Sequence, residues 1–243
     1  MSKDNFSKQA DLYAKYRPQY PVDLYNIIFS RCLNYDKAWD VATGNGQAAV
    51  VLADKFKLVE ASDISSKQIE HAVPKSNIHY SIQNANTSLF ENQSFDLITV
   101  AQALHWFDLN KFFKEVNRTI KKGGVFAAWC YGLNSVNKEI DQLTFHLYQD
   151  IVGSYWDKER RHIEQQYKSI PFPWEMESAQ FNYTLDLSAD EYIGYLSTWS
   201  SVLHYINQNK SNPLALVENQ IREKWGNKPR QVNFPIHLKL VCL

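Results

Sequence analysis

The chain has 243 residues, in which 26 Lys and Arg balance 26 Asp and Glu, and it carries only eight Gly and three Cys. This length is sufficient for a large hydrophobic core, and 44% apolar with 21% charged residues excludes intrinsic disorder as a description of the whole chain. The zero net charge lacks the basic excess typical of nucleic-acid-binding proteins, and no apolar run approaches the about 20 residues that cross a bilayer. We therefore expect no nucleic-acid or membrane partner, and the sequence leaves the oligomeric state open.

The cysteines Cys32, Cys130 and Cys242 are widely spaced and include no CxxC pair. This spacing supports neither a disulfide framework nor a zinc cluster, and the histidines show no HxxxH spacing that would indicate another metal site. The polar amino terminus lacks the hydrophobic region of a secretory signal. We expect a cytoplasmic protein with reduced thiols and no metal.

Apolar runs of strand length alternate with helix-like stretches between Lys37 and Gly132. Because parallel strands are buried on both faces, such runs predict a parallel sheet that helices cover on both sides. The amphipathic stretch 108–122 is expected to stop at Gly123-Gly124, where glycine can adopt the left-handed conformation that ends a helix. In chain order, the predicted elements are a helix over 22–33, a strand over 38–43, a helix over 47–56, a strand over 57–62, a helix over 65–73, strands over 77–82 and 94–102, the helix over 108–122 and a strand over 125–131.

The pattern changes after residue 132. Two helices are predicted within 135–169, a strand over 174–187, a helical pair over 187–206, a helix over 213–226 and a strand over 232–243, which Pro235 places at an edge or start. The predicted fold class is α/β, with a mostly parallel sheet, helices on both faces, an antiparallel C-terminal edge strand and a helical cap insert. We expect one domain over 1–243, divided into an N-terminal segment (1–36), a cofactor-binding core (37–132), the cap insert with one strand (133–229) and the terminal strand (230–243).

A glycine turn joins the first predicted strand to the helix that follows it. Gly44-x-Gly46-x-x-Ala49 satisfies the dinucleotide fingerprint G-x-G-x-x-G/A, and Asp63 follows Gly44 by 19 residues at the end of the next strand. Glycines there let a ligand approach the backbone, and a carboxylate at the second strand can accept hydrogen bonds from both ribose hydroxyls. The turn predicts a site for a nucleoside cofactor, and the alternative is a plain turn between strand and helix.

Asp40 distinguishes among nucleoside cofactors. It stands near the carboxyl end of the first strand, where its charge would repel a pyrophosphate but would suit a cationic amine or a sulfonium. D-x-A-T-G-N-G at 40–46, with A-S-D at 61–63, resembles motif I and the acidic second motif of class I S-adenosylmethionine-dependent methyltransferases, which share a Rossmann-like fold. Ala42 occupies a position where this family usually has a further glycine.

The resemblance continues along the chain. Asn84-Ala85-Asn86 lies where the family often places an Ala and an acid against the adenine, and Asn86 replaces that acid. The run A-Q-A-L-H-W-F at 101–107 is similar to the fourth-strand signature of the small-molecule branch, facing the cofactor and the transferred methyl. Phe6, Tyr13 and the run 16–21 resemble the N-terminal lid of trans-aconitate methyltransferase-like proteins.

The resemblance implies transfer of a methyl group from S-adenosyl-L-methionine to an oxygen, nitrogen or carbon nucleophile of a small molecule. Among these, Arg17 favours an oxygen nucleophile such as a carboxylate. The resemblance also implies a set of residues for each ligand. Those expected at the cofactor are Asp40, Ala42, Thr43, Gly44, Gly46, Asp63, Ile64, Ala85, Asn86, Ala101, Gln102 and Trp106, and those expected at the substrate are Tyr13, Arg17, Tyr20, Trp129 and Trp199.

Three side chains have competing interpretations. His105, the candidate catalytic residue, could accept a proton or orient a substrate oxygen, or it could instead cap the following helix or pack beside Trp106. Arg17 could pair with a carboxylate of the cofactor or of an acidic substrate, or form an exposed salt bridge. Trp106 could cover the adenine or the wall of the site, or it could belong to the core.

Two other functions fit the pattern. The formal dinucleotide fingerprint permits an NAD-dependent oxidoreductase, although Asp40 and the 37 residues before the first strand argue against it. A non-catalytic relative of the fold that binds a nucleoside is the second, since the chain has Ala42 in place of a glycine and Asn86 in place of an acid.

Overall fold

The computed structural model describes residues 16–243, so the predicted lid residues Phe6 and Tyr13 lie outside the described part of the chain. The strands are β1 (Lys37–Val41), β2 (Leu58–Asp63), β3 (Ile78–Ile82), β4 (Phe95–Ala101), β5 (Ile120–Tyr131), β6 (Glu177–Leu187) and β7 (Arg230–Cys242). The α-helices are α1 (Val22–Arg31), α2 (Gln47–Leu52), α3 (Ser66–Glu70), α4 (Leu109–Thr119), α5 (Lys138–Phe145), α6 (Arg160–Glu164), α7 (Ala189–Ser197), α8 (Ser200–Asn209) and α9 (Glu218–Trp225).

The strands form one sheet in the order β3-β2-β1-β4-β5-β7-β6. The pairings β3-β2, β2-β1, β1-β4 and β4-β5 are parallel, whereas β7 pairs antiparallel with both β5 and β6. The predicted α/β class, a mostly parallel sheet with helices, is therefore confirmed.

The position of the terminal strand differs from the prediction. β7 lies second from the edge, and β6 occupies the edge itself. Pro235 is tolerated inside the sheet because it stands where the β5 ladder ends. Its carbonyl accepts a hydrogen bond at 2.9 Å from the N–H of Gly132, which directly follows the last residue of β5. An N–H at position 235 would point to the same side as this carbonyl, where β5 leaves the sheet, so the lack of one in proline costs no pairing with β5.

Buried side chains cover both faces of the central strands. Along β5, Ala127, Trp129 and Tyr131 belong to one hydrophobic cluster, while the alternating Ala128 and Cys130 belong to the other. This alternation follows from the two-residue period of a strand. It explains why the sequence of β5 is continuously apolar.

The glycine pair Gly123-Gly124 lies in β5 and does not end helix α4, contrary to expectation. The helix ends at Thr119 and the next residue, Ile120, already pairs with Phe95 of β4. A side chain on Gly124 would fall 2.7 Å from the Ile120 Cγ1 atom and 2.9 Å from the Lys121 carbonyl oxygen. The glycines therefore allow the strand to turn tightly where it enters the sheet.

Two segments outside the parallel strands supply helices at the carboxyl edge of the sheet. One runs from β5 to β6 and contains α5 and α6. The other, residues 188–229, runs from β6 to β7 and contains α7, α8 and α9. Within residues 16–243, every helix is too short or too polar to cross a membrane.

Candidate active site

The carboxyl ends of β1, β2 and β4 meet at one edge of the sheet. From β1 the chain proceeds to β2 and β3 on one side, and β4 then pairs with the other side of β1. This reversal of strand order opens a crevice next to β1, which is where ligands bind in open α/β sheets. The predicted cofactor residues lie near the carboxyl ends of β1, β2 and β4 and in the segments that follow β1 to β4.

The turn after β1 uses three residues with left-handed backbone conformations, Ala42 (φ 53°), Gly44 (φ 58°) and Gly46 (φ 87°). Gly46 caps α2, and a side chain there would fall 2.2 Å from the Tyr80 hydroxyl. Ala42 takes the conformation that favours glycine, at a cost of about 1 to 2 kcal/mol for an L-residue. The turn therefore has a left-handed residue at position 42 although that residue is alanine.

Asp40 is buried beneath this turn and anchors it. Its Oδ2 accepts a hydrogen bond from the Thr43 hydroxyl at 2.5 Å, and its Oδ1 accepts one from the Thr99 hydroxyl at 2.7 Å. Burial raises the pKa of Asp40 to about 6, with a smaller contribution from Asp63, while the two hydroxyls oppose the rise. The carboxylate thus places negative charge behind the turn.

Asp63 connects the turn to β2. Its carboxylate accepts hydrogen bonds from the backbone N–H groups of Gly44 and Ser65, each at 2.9 Å. The Ser65 hydroxyl in turn accepts the Gln68 N–H at 3.3 Å and caps α3. Ile64, the other predicted residue here, is 38% exposed at the crevice edge of β2.

The loop after β3 provides an unsatisfied acceptor. Ala85 is buried, and the buried Oδ1 of Asn86 has no hydrogen-bond partner among the described residues. A buried amide oxygen without a donor is costly unless a ligand or water supplies one. The exocyclic amine of an adenine is such a donor, so the residues present here fit an adenosine-containing cofactor.

Gln102 continues β4 with a left-handed backbone (φ 56°). Its N–H donates to the Trp129 carbonyl at 2.8 Å, and its side-chain Oε1 accepts the Tyr131 N–H at 2.8 Å. Gln102 therefore extends the pairing of β4 with β5, and Ala101 directly precedes it at the end of β4. This pairing fixes the start of the run that carries His105 and Trp106.

A narrow cavity, which opens to solvent, lies at the end of β4. Five of the predicted site residues line it together, although they come from three separate regions of the sequence. These are Arg17, Gln102, His105, Trp106 and Trp199.

The remaining wall of the cavity was missed by sequence reasoning. Trp156, Asp157, Arg160 and Ile163 come from the segment between β5 and β6, and Ser200 begins α8. The Arg160 guanidinium lies 4.5 Å from the centre of the Trp156 ring. The available signal was the run W-D-K-E-R-R at 156–161, in which an aromatic residue and an arginine stand four residues apart.

Arg17 also lines the cavity. It donates hydrogen bonds to the Tyr131 hydroxyl and, at 2.8 Å, to the Thr198 carbonyl. Its guanidinium also lies 5.7 Å from the centre of the Tyr195 ring. Arg17 therefore connects the N-terminal segment to β5 and to the insert, and it is half-buried.

His105 is buried and belongs to a one-turn 3-10 helix, Leu104–Trp106. Its Nδ1 lies 3.2 Å from the Tyr167 hydroxyl, and its ring centre lies 4.6 Å from that of Trp106. Burial, followed by the charges of Arg160 and His162, lowers the pKa of His105 well below its usual value. The imidazole is therefore neutral at physiological pH.

The structure places Trp129 in the core and not on the cavity wall. It is fully buried on β5, with edge-on ring contacts to Tyr20 at 5.3 Å and to Tyr25 at 6.0 Å. Tyr20 is half-buried and packs over Trp129. Neither Tyr20 nor Trp129 lines the cavity at the end of β4. Their described contacts support the packing of the N-terminal segment on the sheet.

Asp96 and Cys130 have structural roles. Asp96 accepts hydrogen bonds from the backbone N–H groups of Asp36 and Lys37 and pairs with Lys121 at 2.8 Å. Cys130 is fully buried, and all three cysteines are free thiols. No group of three potential metal ligands occurs within residues 16–243.

Comparison with known proteins identifies the chemistry of this crevice. Residues 39–128 match a family model described as a methyltransferase domain. A Dictyostelium discoideum protein, provisionally named a methyltransferase, is 33% identical over 247 residues, covering 98% of this chain and 94% of that protein. A Saccharomyces cerevisiae protein, provisionally named an S-adenosylmethionine-dependent methyltransferase, is 30% identical over 128 residues, which is 49% of this chain and 44% of that protein.

The fold is similar over nearly the whole chain to a solved structure. That protein, from Anaeromyxobacter dehalogenans, is provisionally described as a type II methyltransferase. It superimposes with a TM-score of 0.85 at 33% identity, covering 93% of this chain and 98% of that one. The chain belongs to the class I S-adenosylmethionine-dependent methyltransferases, and its cofactor is S-adenosylmethionine. This family membership decides against the oxidoreductase and the non-catalytic relative that the sequence alone left open.

Proposed function

We propose that this enzyme methylates a small anionic acceptor, with a carboxylate oxygen as the nucleophile. One observation carries the proposal: among residues 16–243, the cavity beside the cofactor crevice is lined by two guanidinium groups, Arg17 and Arg160, and by one carboxylate, Asp157. Arginines bind carboxylates through charge-assisted, geometrically specific hydrogen bonds. An acid of this kind agrees with the resemblance of the N-terminal segment to trans-aconitate methyltransferase-like proteins.

The cofactor would lie across the crevice. The backbone of the turn from Ala42 to Gly46 would hold its methionine portion over the charge of Asp40, Asp63 would accept hydrogen bonds from the ribose, and Asn86 would accept one from the adenine amine. Bound S-adenosylmethionine supplies a methyl group already activated on a sulfonium sulfur.

The protein's part in the reaction is alignment and the exclusion of water. A carboxylic acid is ionised near pH 7, so a carboxylate oxygen can form the new bond to carbon while the carbon–sulfur bond breaks. The products are a methyl ester and S-adenosylhomocysteine, and no proton has to be removed. Arg17 and Arg160 would hold the acceptor, and Trp106 and Trp199 would close the apolar part of the cavity around it.

The acceptor class can be tested by methyl transfer from labelled S-adenosylmethionine to matched panels of carboxylic acids, phenols and amines. We expect label in methyl esters, and transfer only to phenols or amines would refute the carboxylate proposal. Because esters hydrolyse in base, the products should be released by mild alkali, whereas methyl ethers and methylamines should be retained.

Arg17→Met tests the electrostatic basis of the proposal. Loss of a charge-assisted hydrogen bond of about 1.5 to 3 kcal/mol should raise the KM for an acidic acceptor about 10- to 100-fold. The matched control is Arg31→Met, because Arg31 is exposed and pairs with Glu177 away from the cavity. Equal effects of the two substitutions would show that the charge at Arg17 is not used for the acceptor.

Asp63→Ala tests the cofactor arrangement independently of the acceptor. Calorimetric titration with S-adenosylhomocysteine should show affinity weakened by about 1 to 3 kcal/mol, because a charged acceptor leaves the ribose. Asp186→Ala on the edge strand β6 is the exposed control. An unchanged affinity in Asp63→Ala would show that Asp63 is not a ribose ligand.

We further propose a cytoplasmic enzyme of one domain, in which residues 37–132 bind the cofactor and 133–229 form the cap. Its three free thiols agree with a reducing compartment. Fractionation of cells that express a tagged chain would test the location.

A further inference from the structure

Helix α8 begins at the wall of the cavity at the end of β4. Trp199, the residue before the helix, and Ser200, its first residue, both line that cavity. Among residues 16–243, no side chain caps α8, and Leu203 is the first residue of the helix whose N–H has an acceptor, the Trp199 carbonyl at 3.2 Å. The first turn also contains no acidic residue. The three N–H groups before Leu203 are therefore open to a ligand.

The side chain of Ser200 supplies a second, independent donor at the same place. Ser200 is only 7% exposed, its hydroxyl has no hydrogen-bond partner in the described part of the chain, and the space that it borders is the cavity. The hydroxyl of the next residue, Ser201, is fully enclosed, so Ser200 is the serine of this turn that reaches the cavity. A buried hydroxyl without a partner is costly unless a ligand or water supplies one.

Two guanidinium groups give the same cavity a positive charge. Arg17 donates to the Thr198 carbonyl at 2.8 Å, two residues before Ser200, and so lies beside the start of α8. Arg160 is anchored through its Nε to the Tyr148 hydroxyl at 3.2 Å, and its two terminal nitrogens make no hydrogen bond to the described residues. The amino terminus of a helix adds a partial positive charge to these two full charges.

We infer that the first turn of α8 and the Ser200 hydroxyl form an anion subsite, which binds one oxygen of the acceptor's carboxylate and leaves the other oxygen to attack the methyl group. The part that concerns the acceptor rests on the proposed function, whereas the anion subsite does not. Helix N-termini bind anions because their free N–H groups point at the ligand and the helix dipole favours negative charge. Asp157, a carboxylate on the cavity wall, lies 3.7 Å from the His204 Nδ1 atom and makes no hydrogen bond to Ser200.

Such a subsite discriminates among acceptors by charge. Backbone N–H and guanidinium groups donate hydrogen bonds and accept none. An ammonium group placed there would be repelled by Arg17 and Arg160 and would leave the N–H groups of α8 without an acceptor. A carboxylate would satisfy them with charge-assisted hydrogen bonds. Ser200 is therefore a specificity-determining residue of the cavity.

The first experiment needs no methyl acceptor. Protein labelled with ¹⁵N-serine and saturated with S-adenosylhomocysteine would be titrated with sodium acetate against sodium chloride at constant ionic strength, with Ser200→Ala and Ser188→Ala identifying two amide signals by NMR. We expect the Ser200 amide proton to move downfield and to saturate. The Ser188 signal is the control, because its N–H already donates to Glu191 at 2.8 Å. A Ser200 signal that responds no more than that of Ser188 would overturn the subsite, whatever the acceptor is.

Two substitutions measure what the subsite contributes to acceptor binding. Ser200→Ala removes the hydroxyl and should raise the KM for an acidic acceptor about 3- to 10-fold, whereas Ser200→Pro also removes the first N–H and should raise it about 10- to 100-fold. Proline fits this position because Trp199 already has the extended backbone (φ −68°, ψ 135°) that precedes a proline at the start of a helix. The effect should appear in KM more than in kcat, because the carboxylate has its full charge when bound and loses charge as the ester forms.

Ala189→Pro is the matched control for Ser200→Pro. Ala189 is the first residue of α7 in the same segment between β6 and β7, it follows a similarly extended Ser188 (φ −72°, ψ 165°), and it does not line the cavity. Equal KM values for the two proline variants, or methyl esters formed with an unchanged KM in both Ser200 variants, would overturn the inference and leave the proposed function standing. Transfer only to phenols or amines, with acetate still moving the Ser200 signal, would refute the proposed function and support the anion subsite.

Discussion

Asp40→Asn should stabilise the folded protein while weakening its binding of the cofactor. In the wild type, an ionisable carboxyl is buried under the glycine turn with its oxygens on Thr43 and Thr99. Its pKa rises from 3.8 to about 6, chiefly because burial removes the carboxylate from water. The folded state therefore favours the protonated form more than the unfolded chain does.

The size and sign of the effect follow from this shift. A rise of about two pKa units corresponds to about 3 kcal/mol, which destabilises the ionised wild type above pH 6 and vanishes below pH 4, where Asp40 is protonated in both states. The Thr43 and Thr99 hydroxyls can rotate to serve an amide, so Asn keeps the hydrogen bonds without the buried charge. We expect Asp40→Asn to be more stable than wild type by about 2 to 3 kcal/mol at pH 7.5. For a chain of this size that corresponds to about 5 to 10 °C in Tm.

Urea unfolding at several pH values between 4 and 8 would measure this difference directly. Asp36→Asn is the control, because the exposed Asp36 pairs with Lys57 and its pKa is lowered, so its substitution should give no gain above pH 6. Calorimetry with S-adenosylhomocysteine should show weaker binding by Asp40→Asn. A variant that is less stable at pH 7.5, or a difference that does not change with pH, would refute the reasoning.

Three further substitutions test the turn and the cavity by urea unfolding. Gly46→Ala places a methyl group 2.2 Å from the Tyr80 hydroxyl and should lower the free energy of unfolding by about 2 kcal/mol or more. The control is Gly226→Ala, where φ is 73° and the space is open, and it should lower the free energy of unfolding by only about 1 kcal/mol. Equal losses in the two variants would show that the protein relieves the contact with Tyr80. Ala42→Gly relieves a left-handed alanine and should be neutral or more stable by up to about 1 kcal/mol, and a loss above 1 kcal/mol would mean that the methyl group packs usefully. Burial lowers the pKa of His105, so the wild type should lose stability relative to His105→Gln as the pH falls below about 6.5. The loss should be up to about 1.4 kcal/mol per pH unit. If the free energies of unfolding of the two proteins changed in parallel with pH, the buried neutral imidazole would be contradicted.

The fold could be predicted from the sequence where local pattern and burial agree. The strand predicted over 57–62 is observed as β2, Leu58–Asp63. It was predictable because a strand that helices cover on both faces has a nearly continuous apolar sequence. The end of α4 was not predictable in this way. Ile120 continues the helical periodicity, but it joins the sheet because its pairing with Phe95 in β4 overrides the local preference. Strand order likewise depends on pairing across the sheet, which the local sequence does not show. The sequence therefore predicted the terminal strand at the edge, whereas β6 occupies that position.

In the candidate site, residues close together in the sequence could be predicted, and residues brought together only by the fold could not. The glycine turn, Asp40 and Asp63 were found because they lie within one strand–turn–helix–strand unit, where spacing fixes their geometry. Arg160 was missed because nothing near it in sequence shows that its segment folds back over the end of β4. The contact of His105 with Tyr167 was equally hidden, because the two residues stand 62 residues apart in the sequence.

The hairpin of β6 and β7 has a consequence for how this enzyme could acquire new substrates. The last residue of β6, Leu187, pairs directly with the first residue of β7, Arg230, so residues 188–229 leave and re-enter the sheet at neighbouring points. This excursion carries Trp199 and Ser200 to the cavity but contributes none of the strands that shape the cofactor crevice. Recombination could therefore replace residues 188–229 with a segment of different length. The replacement would change which methyl acceptor fits the cavity, while the strands that bind S-adenosylmethionine would stay the same.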